Sequence, residues 1–307
     1  MPKVSIITPC YNCDRYIGRT IESVQAQTLA DWEHIIVDDG SNDRSAAIVQ
    51  TYTATNQQVR LIQQTNSGVS RARNIGFAAT SSSSQYLLFL DADDSLQPEM
   101  LQTLIGYLDR NPQVGLAYCD LTHVNSNDIP LKTPYFPRYA PAHHWVRELP
   151  DECSETPFSS VFSLAPIIPS ISIIRRSVYQ ETLGWDETFG QHYEDTDLFL
   201  NIALRSQIHY LPQKLVHYRR HDQQSTADTH KFSIQEEKLY QKWLTLTTLT
   251  REQKAIVQAA WRFREGRVIP YTGLSAGNRY LKQGNILTSL RFYLGAIRRY
   301  AWSFLPG

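Results

Sequence analysis

The nonapeptide YLLFLDADD at positions 86–94 contains the most apolar strand-like run of the chain and, directly after it, three carboxylates. The run 86–90 consists only of aromatic and aliphatic residues, a pattern that indicates a buried strand. Asp91, Asp93 and Asp94 follow where this strand should end. The nonapeptide therefore predicts a buried strand that delivers acidic side chains to one edge of a sheet.

Strand-like and helix-like segments alternate around this run. Short apolar, β-branched segments predict strands at residues 3–8, 33–37, 59–63 and 114–119. Helical spacing predicts helices at residues 15–24, 46–52, 68–79 and 98–109. Asp14 is expected to cap the first helix. Because strands and helices alternate at short spacing, we predict an α/β fold with a mostly parallel sheet and helices on both faces.

The pattern changes after residue 122. Residues 123–169 carry eight prolines and predict a long loop region that forms a pocket wall. Further elements are predicted as a strand at 170–175, a helix at 195–205, and strands at 208–211 and 215–219. Beyond residue 231 the pattern predicts helices.

The composition is that of an ordinary globular protein, with 42% hydrophobic and 20% charged residues among 307, which excludes a disordered or fibrous chain. The 30 basic and 30 acidic residues cancel, and this balance argues against a general nucleic-acid binder. From Arg251 onward, however, there are ten Lys or Arg residues and only two acids, so the preceding 250 residues carry a net charge of −8. We expect the acidic body and the basic tail to have different partners.

No segment reaches the roughly 18 apolar residues that a bilayer-spanning helix needs. The first predicted strand begins at Lys3 and leaves no room for a signal peptide, so we expect a cytoplasmic protein. Cys10 and Cys13 form one C-x-x-C, but a zinc site would require a second pair. We expect these two thiols to be reduced and to lie beside a strand end.

Polar residues follow the predicted strands at four places, residues 9–12, 38–41, 66–68 and 91–94. The carboxyl ends of parallel strands share one edge of a sheet, where ligands bind, so these clusters predict a single site. Carboxylates at such a site suit a hard divalent cation, Mg²⁺ or Mn²⁺, which could bridge a diphosphate. The alternative is that the acids only end strands and cap helices.

A nucleotide would lie against two of these clusters. Tyr11 offers a ring face for a base, and a carboxylate such as Asp39 can accept a hydrogen bond from a base N–H or a ribose hydroxyl. Packing of Tyr11 and a simple turn at Asp-Gly-Ser are the alternatives. Neither G-x-G-x-x-G nor G-x-x-x-x-G-K-[ST] is present, which counts against dinucleotide dehydrogenases and P-loop NTPases.

Eight motifs occur in order within residues 3–225. They are Thr8-Pro9-x-Tyr11-Asn12, Asp38-Asp39-Gly40-Ser41, Asn66-x-Gly68, Arg71-x-Arg73-Asn74-x-Gly76, Asp91-x-Asp93-Asp94, Gly184-Trp185-Asp186-Glu187, Glu194-Asp195-x-Asp197-Leu198 and Tyr218-Arg219-Arg220-His221. In order and spacing this set resembles the family-2 glycosyltransferases. Each motif alone is weakly specific, whereas the set is highly specific.

The resemblance implies a glycosyltransferase-A fold, a nucleotide-diphosphate-sugar donor and an essential divalent metal ion, Mn²⁺ or Mg²⁺. It implies a catalytic domain at residues 1–228, with a nucleotide-sugar half at 1–122 and an acceptor half at 123–228. A basic helical region at 229–307 would follow. UDP is the expected nucleotide carrier by resemblance alone, while GDP and TDP stay open.

The resemblance also assigns residues to the donor. The nucleoside pocket would be lined by Thr8, Pro9, Tyr11 and Asp39. Asp39 would contact the base, Asp91 the ribose or sugar side of the donor, and Asp93 the metal ion that binds the diphosphate. Gly68 would let the backbone approach the nucleotide.

Three basic side chains are assigned with alternatives. Arg71 could face the phosphates, but surface salt bridges are an equally good interpretation for Arg71 and Arg73. His221 would be a second metal ligand beside Asp93, since neutral imidazole is a suitable ligand for Mn²⁺. An exposed loop position is the alternative for His221.

On the acceptor side, Asp195 would be the general base that takes the proton from the acceptor hydroxyl in an inverting transfer. Plain helix capping is the alternative, because acids favour helix N-termini. Trp185 and Glu194 would belong to the acceptor side, with buried packing as the alternative for Trp185.

Residues 286–305 combine apolar residues at helical spacing with three arginines, Arg291, Arg298 and Arg299, and no acid. Such a helix could lie on an anionic membrane surface, or it could pack on the catalytic domain with its arginines in solvent. We therefore predict a cytoplasmic glycosyltransferase, with peripheral contact at the inner face of the membrane left open. The alternatives are a catalytically silent nucleotide-sugar-binding or scaffold protein of the same fold, and a sugar nucleotidyltransferase.

Overall fold

The computed structural model describes residues 1–132, 154–164, 167–190, 192–221, 229–282 and 284–302. The predicted α/β class is confirmed, since a single mixed sheet of nine strands runs through the molecule with helices packed against it. Residues 133–153 and 165–166 of the loop region predicted at 123–169 to form a pocket wall lie outside the described residues.

The first half of the chain forms four parallel strands and four helices. The strands are β1 Val4–Cys10, β2 Trp32–Asp38, β3 Val59–Gln63 and β4 Tyr86–Phe89. The helices are α1 Ile17–Gln25, α2 Ser45–Thr53, α3 Val69–Ala78 and α4 Met100–Arg110. β1 lies between β2 and β4, β3 pairs with the far side of β2, and all three pairings are parallel. This is the strand–helix alternation that the sequence predicts.

The second half extends the same sheet with antiparallel pairs. Its strands are β5 Ser95–Leu96, β6 Val114–Val124, β7 Ser154–Glu155, β8 Ser172–Arg175 and β9 Gln207–Arg219. β8 lies antiparallel between β4 and β6, and β6 pairs in parallel with β9. The short strands β5 and β7 pair antiparallel with β9. The order of the described strands is β3-β2-β1-β4-β8-β6-β9-β5, with β7 beside β9.

In the part of the chain that the structure describes, seven further α-helices follow α4. They are α5 Phe158–Leu164, α6 Arg176–Gln180, α7 Glu194–Ala203, α8 Thr229–Thr245, α9 Arg251–Phe263, α10 Ile269–Lys282 and α11 Ile286–Trp302, and a π-helix at Arg264–Val268 joins α9 to α10. α5 packs against α7 and α9, while α10 and α11 pack against each other. Among the described residues, no helix is both long enough and apolar enough to cross a membrane.

Three local predictions need correction. The two strands predicted at 208–211 and 215–219 are one strand, β9, in which the pairing with β6 skips Pro212 and Gln213. Proline has no N–H to give to a ladder, so the sequence pattern breaks where the strand only bulges. The region predicted as loop contains α5, and Asp14 does not cap α1, which begins at Ile17 without a side-chain cap.

The core explains why the run at 86–90 is so apolar. Tyr86, Leu87, Leu88, Phe89 and Leu90 are almost completely buried, because β4 is covered on both faces and by strands on both edges. Gly76 of α3 lies against β1, where an added Cβ would come within 2.3 Å of Ile7 Cγ2. The glycine therefore allows the close packing that holds α3 on the sheet.

Candidate active site

The carboxyl ends of β1 and β2 are joined by direct hydrogen bonds. The N–H of Asn12 donates to Ser41 Oγ at 3.0 Å, and the N–H of Asn42 donates to Asn12 Oδ1 at 2.8 Å. The N–H of Asp39 donates to the carbonyl of Cys10 at 2.8 Å. β4 ends beside β1 in the same direction, so the polar segments gather at one edge of the sheet as predicted.

Asp39 connects this edge to the loop before α3. Its Oδ1 accepts from the Gln64 amide at 2.7 Å and from the N–H of Ser67 at 2.8 Å, and its Oδ2 accepts from the N–H of Gly68 at 2.9 Å. Gly68 has φ 92°, which glycine adopts without strain. Two residues assigned to the donor pocket are therefore in direct contact, and Asp39 also orders the loop.

The other residues assigned to the nucleoside pocket differ in exposure. Thr8 is completely buried, and its Oγ1 lies 2.8 Å from His34 Nε2 within the sheet. The Thr8 side chain therefore does not line an open pocket, because β1 is covered on both faces. Pro9 is half-buried, and Tyr11 is 45% exposed, so the Tyr11 ring remains accessible to a ligand.

The three carboxylates after β4 have three different surroundings. Asp91 accepts from Arg73 at 2.8 Å. Oδ2 of Asp93 lies 2.9 Å from Nε2 of His221. Asp94 is buried, accepts the N–H of Arg219 at 3.0 Å, and has a pKa raised well above its ordinary value by burial and by the charges of its acidic neighbours. Asp94 therefore has a structural place, whereas Asp91 and Asp93 keep contact with solvent.

Arg73 is the buried centre of the site. Its side chain is only 4% exposed, so the surface salt-bridge interpretation is wrong for this residue. One guanidinium nitrogen donates to Asp91 at 2.8 Å and another donates to Glu194 Oε1 at 3.1 Å. Burial lowers the pKa of Arg73, but the charges of Asp91 and Glu194 outweigh that effect and raise it.

The Glu194–Asp195 pair begins α7 on the far side of Arg73. Burial raises the pKa of Glu194 to about 7, the charge of Asp195 adds to this, and Arg73 opposes it. Burial also raises the pKa of Asp195, while the N–H of Thr196 and the charge of Arg73 lower it, and the charge of Asp91 raises it further. The predicted base therefore belongs to the same electrostatic cluster as the carboxylate after β4.

Trp185 lies beneath this cluster. It is 2% exposed, its ring centroid lies 4.2 Å from the Arg73 guanidinium carbon, and it meets Phe89 edge-on at 4.9 Å. Trp185 therefore matches the alternative of buried packing, and its ring packs against the Arg73 guanidinium. Glu194 is likewise buried and bound to Arg73, so neither side chain offers a free surface to an acceptor. Their assignment to the acceptor side stays a prediction, and in the structure both side chains are buried against Arg73.

The two other basic residues assigned from the sequence, Arg71 and His221, have different surroundings. Arg71 is half-exposed and lies 3.5 Å from Glu187, which is the surface salt bridge named as its alternative. His221 is 12% exposed and its ring packs on Tyr16, with centroids 4.8 Å apart. His221 is therefore not an exposed loop histidine, and the structure brings it to Asp93 across 128 residues of sequence.

Asp93 and His221 are the pair that could hold a divalent metal ion. Among the described residues, no group of three His, Cys, Asp or Glu side chains is arranged for one ion. A carboxylate and an imidazole nevertheless fit Mn²⁺ or Mg²⁺ chemically, because such ions are commonly held by one or two protein ligands and complete their coordination with substrate phosphates and water.

Two residues support the site in ways that the sequence did not predict, although Arg219 belongs to one of the family motifs. Arg219 is 1% exposed, donates to the carbonyl of Asp93 at 2.8 Å, and lies over Tyr16 at 5.0 Å. Ser170 accepts the N–H of Asp91 at 3.1 Å. Arg219 follows an apolar strand segment, which hinted at burial, while Ser170 carried no local signal.

A sequence model described as Glycosyl transferase family 2 matches residues 5–183. Among curated relatives, the chain is 40% identical over 119 residues to a glycosyltransferase of Bacillus subtilis named EpsJ and described as uncharacterized, covering 39% of this chain and 34% of that protein. It is 36% identical over 118 residues to the chondroitin synthase of Escherichia coli, covering 38% of this chain and 17% of that protein. The chain thus matches about a third or less of the length of these relatives.

Solved structures share the fold over nearly the whole chain. S. aureus TarS 1-349 in complex with UDP-GlcNAc has a TM-score of 0.65 at 17% identity, covering 96% of this chain and 92% of that one. The mannosyltransferase PcManGT from Pyrobaculum calidifontis, in complex with GDP-Man and Mn²⁺, has a TM-score of 0.65 at 16% identity, covering 99% and 88%. This likeness confirms the predicted glycosyltransferase-A fold.

Proposed function

Because the chain belongs to Glycosyl transferase family 2, whose sequence model matches more than half of it, we propose that this glycosyltransferase transfers a sugar with inversion from a nucleotide-diphosphate donor to a hydroxyl group. The observation that carries the proposal is the position of Arg73, which binds Asp91 at 2.8 Å and Glu194 at 3.1 Å. The carboxylate assigned to the donor and the segment that carries Asp195 therefore meet at one cation.

The donor diphosphate would lie beside Asp93 and His221. These two side chains would hold a divalent metal ion, which when bound offsets the negative charge of the leaving diphosphate. Asp91 would accept a hydrogen bond from a hydroxyl of the ribose or sugar, and Arg73 keeps that carboxylate oriented at 2.8 Å. Tyr11, with its exposed ring, would contact the base.

Asp195 would act as the general base. The acceptor oxygen forms a bond to the anomeric carbon from the face opposite the diphosphate, while the bond from that carbon to the diphosphate oxygen breaks and its electron pair leaves with the diphosphate. The acceptor proton passes to a carboxylate oxygen of Asp195. Burial raises the pKa of Asp195, and a higher pKa makes the ionised carboxylate a stronger proton acceptor. Asp195 lies outside the residues that the family model matches, so its role rests on the geometry and the motif.

The donor and acceptor classes are proposed from the relatives. Of the two structural neighbours, one is in complex with UDP-GlcNAc and the other with GDP-Man and Mn²⁺, which supports a nucleotide sugar and Mn²⁺ for this chain. The relatives include chondroitin synthases and a hyaluronan synthase. We therefore propose a UDP-sugar as donor and a glycan or lipid-linked glycan as acceptor.

Peripheral contact with an anionic membrane is the second part of the proposal. Helix α11 exposes an apolar stripe that at 100° per residue spans about a third of its circumference. The stripe consists of Ile286, Leu287, Leu290, Leu294 and Ile297. Arg291 and Arg298 are exposed along one margin of this stripe, and the sequence contains no acid after Glu265. Apolar residues flanked by arginines match the acyl boundary and the anionic headgroups of a membrane.

A donor panel tests the proposed chemistry. UDP-, GDP- and dTDP-sugars are incubated with the protein, with and without Mn²⁺, and the released nucleotide is measured. We expect one donor to yield nucleoside diphosphate slowly with water and faster with a glycan acceptor, in both cases only with the metal. Binding of a donor without turnover would favour the silent protein. Release of pyrophosphate from a nucleoside triphosphate and a sugar phosphate would favour the nucleotidyltransferase.

A further inference from the structure

The turn before Asp195 is held in an uncommon backbone conformation. Tyr193 has φ 68° and ψ 0°, in the left-handed region that residues other than glycine seldom adopt. Its carbonyl accepts a hydrogen bond from the N–H of Asp197 at 2.9 Å, at the start of helix α7. Such a conformation persists only where surrounding contacts determine it, and the placement of Glu194 and Asp195 depends on it.

A buried ion pair holds the side chain of Tyr193. The hydroxyl of Tyr193 donates to Glu236 Oε1 at 2.9 Å and accepts from Arg264 Nη2 at 2.7 Å. Nε of Arg264 lies 2.5 Å from the same Glu236 oxygen, and both charged side chains are less than a tenth exposed. The Arg264 guanidinium also lies over the Tyr193 ring, 5.2 Å from its centroid.

Asp197, at the other end of the same turn, is held by a second set of contacts. We call the contacts of Tyr193 and those of Asp197 the two anchors. Asp197 is buried, and its two carboxylate oxygens accept from Trp243 Nε1 at 2.9 Å and from Lys242 Nζ at 2.7 Å. Lys242 also donates to Asp186 at 2.8 Å. The anchors at Tyr193 and Asp197 stand four residues apart and bracket the Glu194–Asp195 pair.

The four side chains named above that bind Tyr193 and Asp197 lie beyond residue 228. Glu236, Lys242 and Trp243 belong to α8, and Arg264 begins the π-helix after α9. This part of the chain lies outside the match to the family model, which ends at residue 183. The first turn of α7 is thus bonded to a region that the family match does not include.

We propose that two side chains of the helical region after residue 228, Glu236 and Arg264, are positioning residues that act on Asp195 through Tyr193. The inference rests on the proposed role of Asp195 as general base. A reacting group displaced by about 1 Å can lose on the order of a hundredfold in rate. The donor-side carboxylates follow β2 and β4, and the anchored turn reaches Asp91 only indirectly, through Glu194 and Arg73. We therefore expect loss of the anchor to change turnover much more than donor binding.

The variant Tyr193→Phe tests the inference with the least disturbance, since it removes the hydroxyl and keeps the ring and the Glu236–Arg264 pair. Donor affinity and the number of binding sites per chain are measured by calorimetry in the presence of Mn²⁺, and turnover is measured with acceptor. We expect kcat to fall by about tenfold or more, while the donor Kd stays within about twofold and the number of sites does not change.

Val257→Ala is the matched control, because Val257 is completely buried in α9 and its loss destabilises the same region through a cavity. We expect Val257→Ala to lower the melting temperature and keep kcat. Wild-type kcat in Tyr193→Phe, or an equal loss of kcat in Val257→Ala at full site number, would overturn the positioning role. If Asp195→Asn itself kept its turnover, the general-base proposal would fail, independently of the result with Tyr193→Phe.

Discussion

A guanidinium nitrogen of Arg73 lies 3.1 Å from Oε1 of Glu194, 121 residues further along the chain. This contact joins α3, which packs against β1 on the donor half of the sheet, to the first turn of α7. Because Arg73 also binds Asp91, a single buried cation neutralises carboxylates from both sides of the proposed reaction centre.

Replacing Arg73 should destabilise the protein in a pH-dependent manner. Arg73→Met leaves the buried carboxylate of Glu194 without its counter-charge, and breaking a buried ion pair costs about 3–5 kcal/mol in the free energy of unfolding. Without Arg73 the pKa of Glu194 rises further, so the deficit should be largest above pH 7 and shrink as the pH falls and Glu194 takes up a proton. Denaturant unfolding at pH 5 and pH 8 measures this. A deficit that is the same at both pH values would contradict the prediction. Arg71→Met, at the half-exposed salt bridge, is the control and should cost less than about 1 kcal/mol.

Glu194→Gln should remove the loss of stability that ionisation of Glu194 causes as the pH rises. The folded-state pKa of Glu194 is raised to about 7, chiefly by burial, so ionisation of Glu194 costs stability as the pH rises from about 4.5 to about 7. The amide can still accept from Arg73 but does not ionise. We therefore expect Glu194→Gln to gain stability relative to the wild type between pH 5 and pH 8, as measured by melting temperature. If the difference from the wild type does not change with pH, Glu194 does not titrate in this range.

Asp93→Ala should abolish metal-dependent donor binding. The variant removes the carboxylate that lies 2.9 Å from His221, and the diphosphate charge would then be poorly compensated. We expect a loss of a hundredfold or more in rate, together with loss of the Mn²⁺-dependent part of nucleotide affinity in calorimetry. Asp31→Ala, at an exposed acid before β2, is the control and should bind normally. Unchanged Mn²⁺-dependent affinity in Asp93→Ala would show that the metal assignment is wrong.

The exposed face of α11 should bind anionic vesicles. Sedimentation with vesicles of phosphatidylglycerol and phosphatidylcholine should decrease as salt rises, because surface attraction is screened over about 8–10 Å at physiological ionic strength. The double variant Arg291→Glu/Arg298→Glu should sediment less while its turnover on a soluble acceptor is kept. The double variant Arg251→Glu/Arg262→Glu, at two exposed arginines of α9, is the charge-matched control and should sediment normally. Equal sedimentation of both variants, or a concentration-dependent dimer that the double variant disrupts, would contradict membrane contact.

The sequence was sufficient to predict the first half of the fold because its signals are local. The run at 86–90, the β-branched strands and the polar residues after each strand identify a parallel sheet and its functional edge. The pairing of Asp93 with His221 followed from the family motifs. Only the structure gives the 2.9 Å distance.

Features that depend on tertiary contacts could not be predicted. The sequence around Arg73 does not distinguish a surface position from a buried one. The fold buries Arg73 and places Glu194 opposite it. Trp185 is buried among side chains distant in sequence, including Arg73 and Phe89. The anchor at Tyr193 requires Glu236 and Arg264, which lie 43 and 71 residues away in sequence. Proline-rich sequence also concealed α5.

The most direct test of the proposed mechanism is donor binding and acceptor turnover measured on the single variant Asp195→Asn. The amide preserves shape but does not take up a proton at neutral pH, and a general base typically contributes ~10²–10⁴-fold to the rate. We predict that kcat falls by that order, while the donor Kd in the presence of Mn²⁺ and slow donor hydrolysis by water are kept. Near-wild-type turnover with acceptor would contradict the role of Asp195 as the base, and lost donor affinity would instead assign Asp195 to the donor pocket.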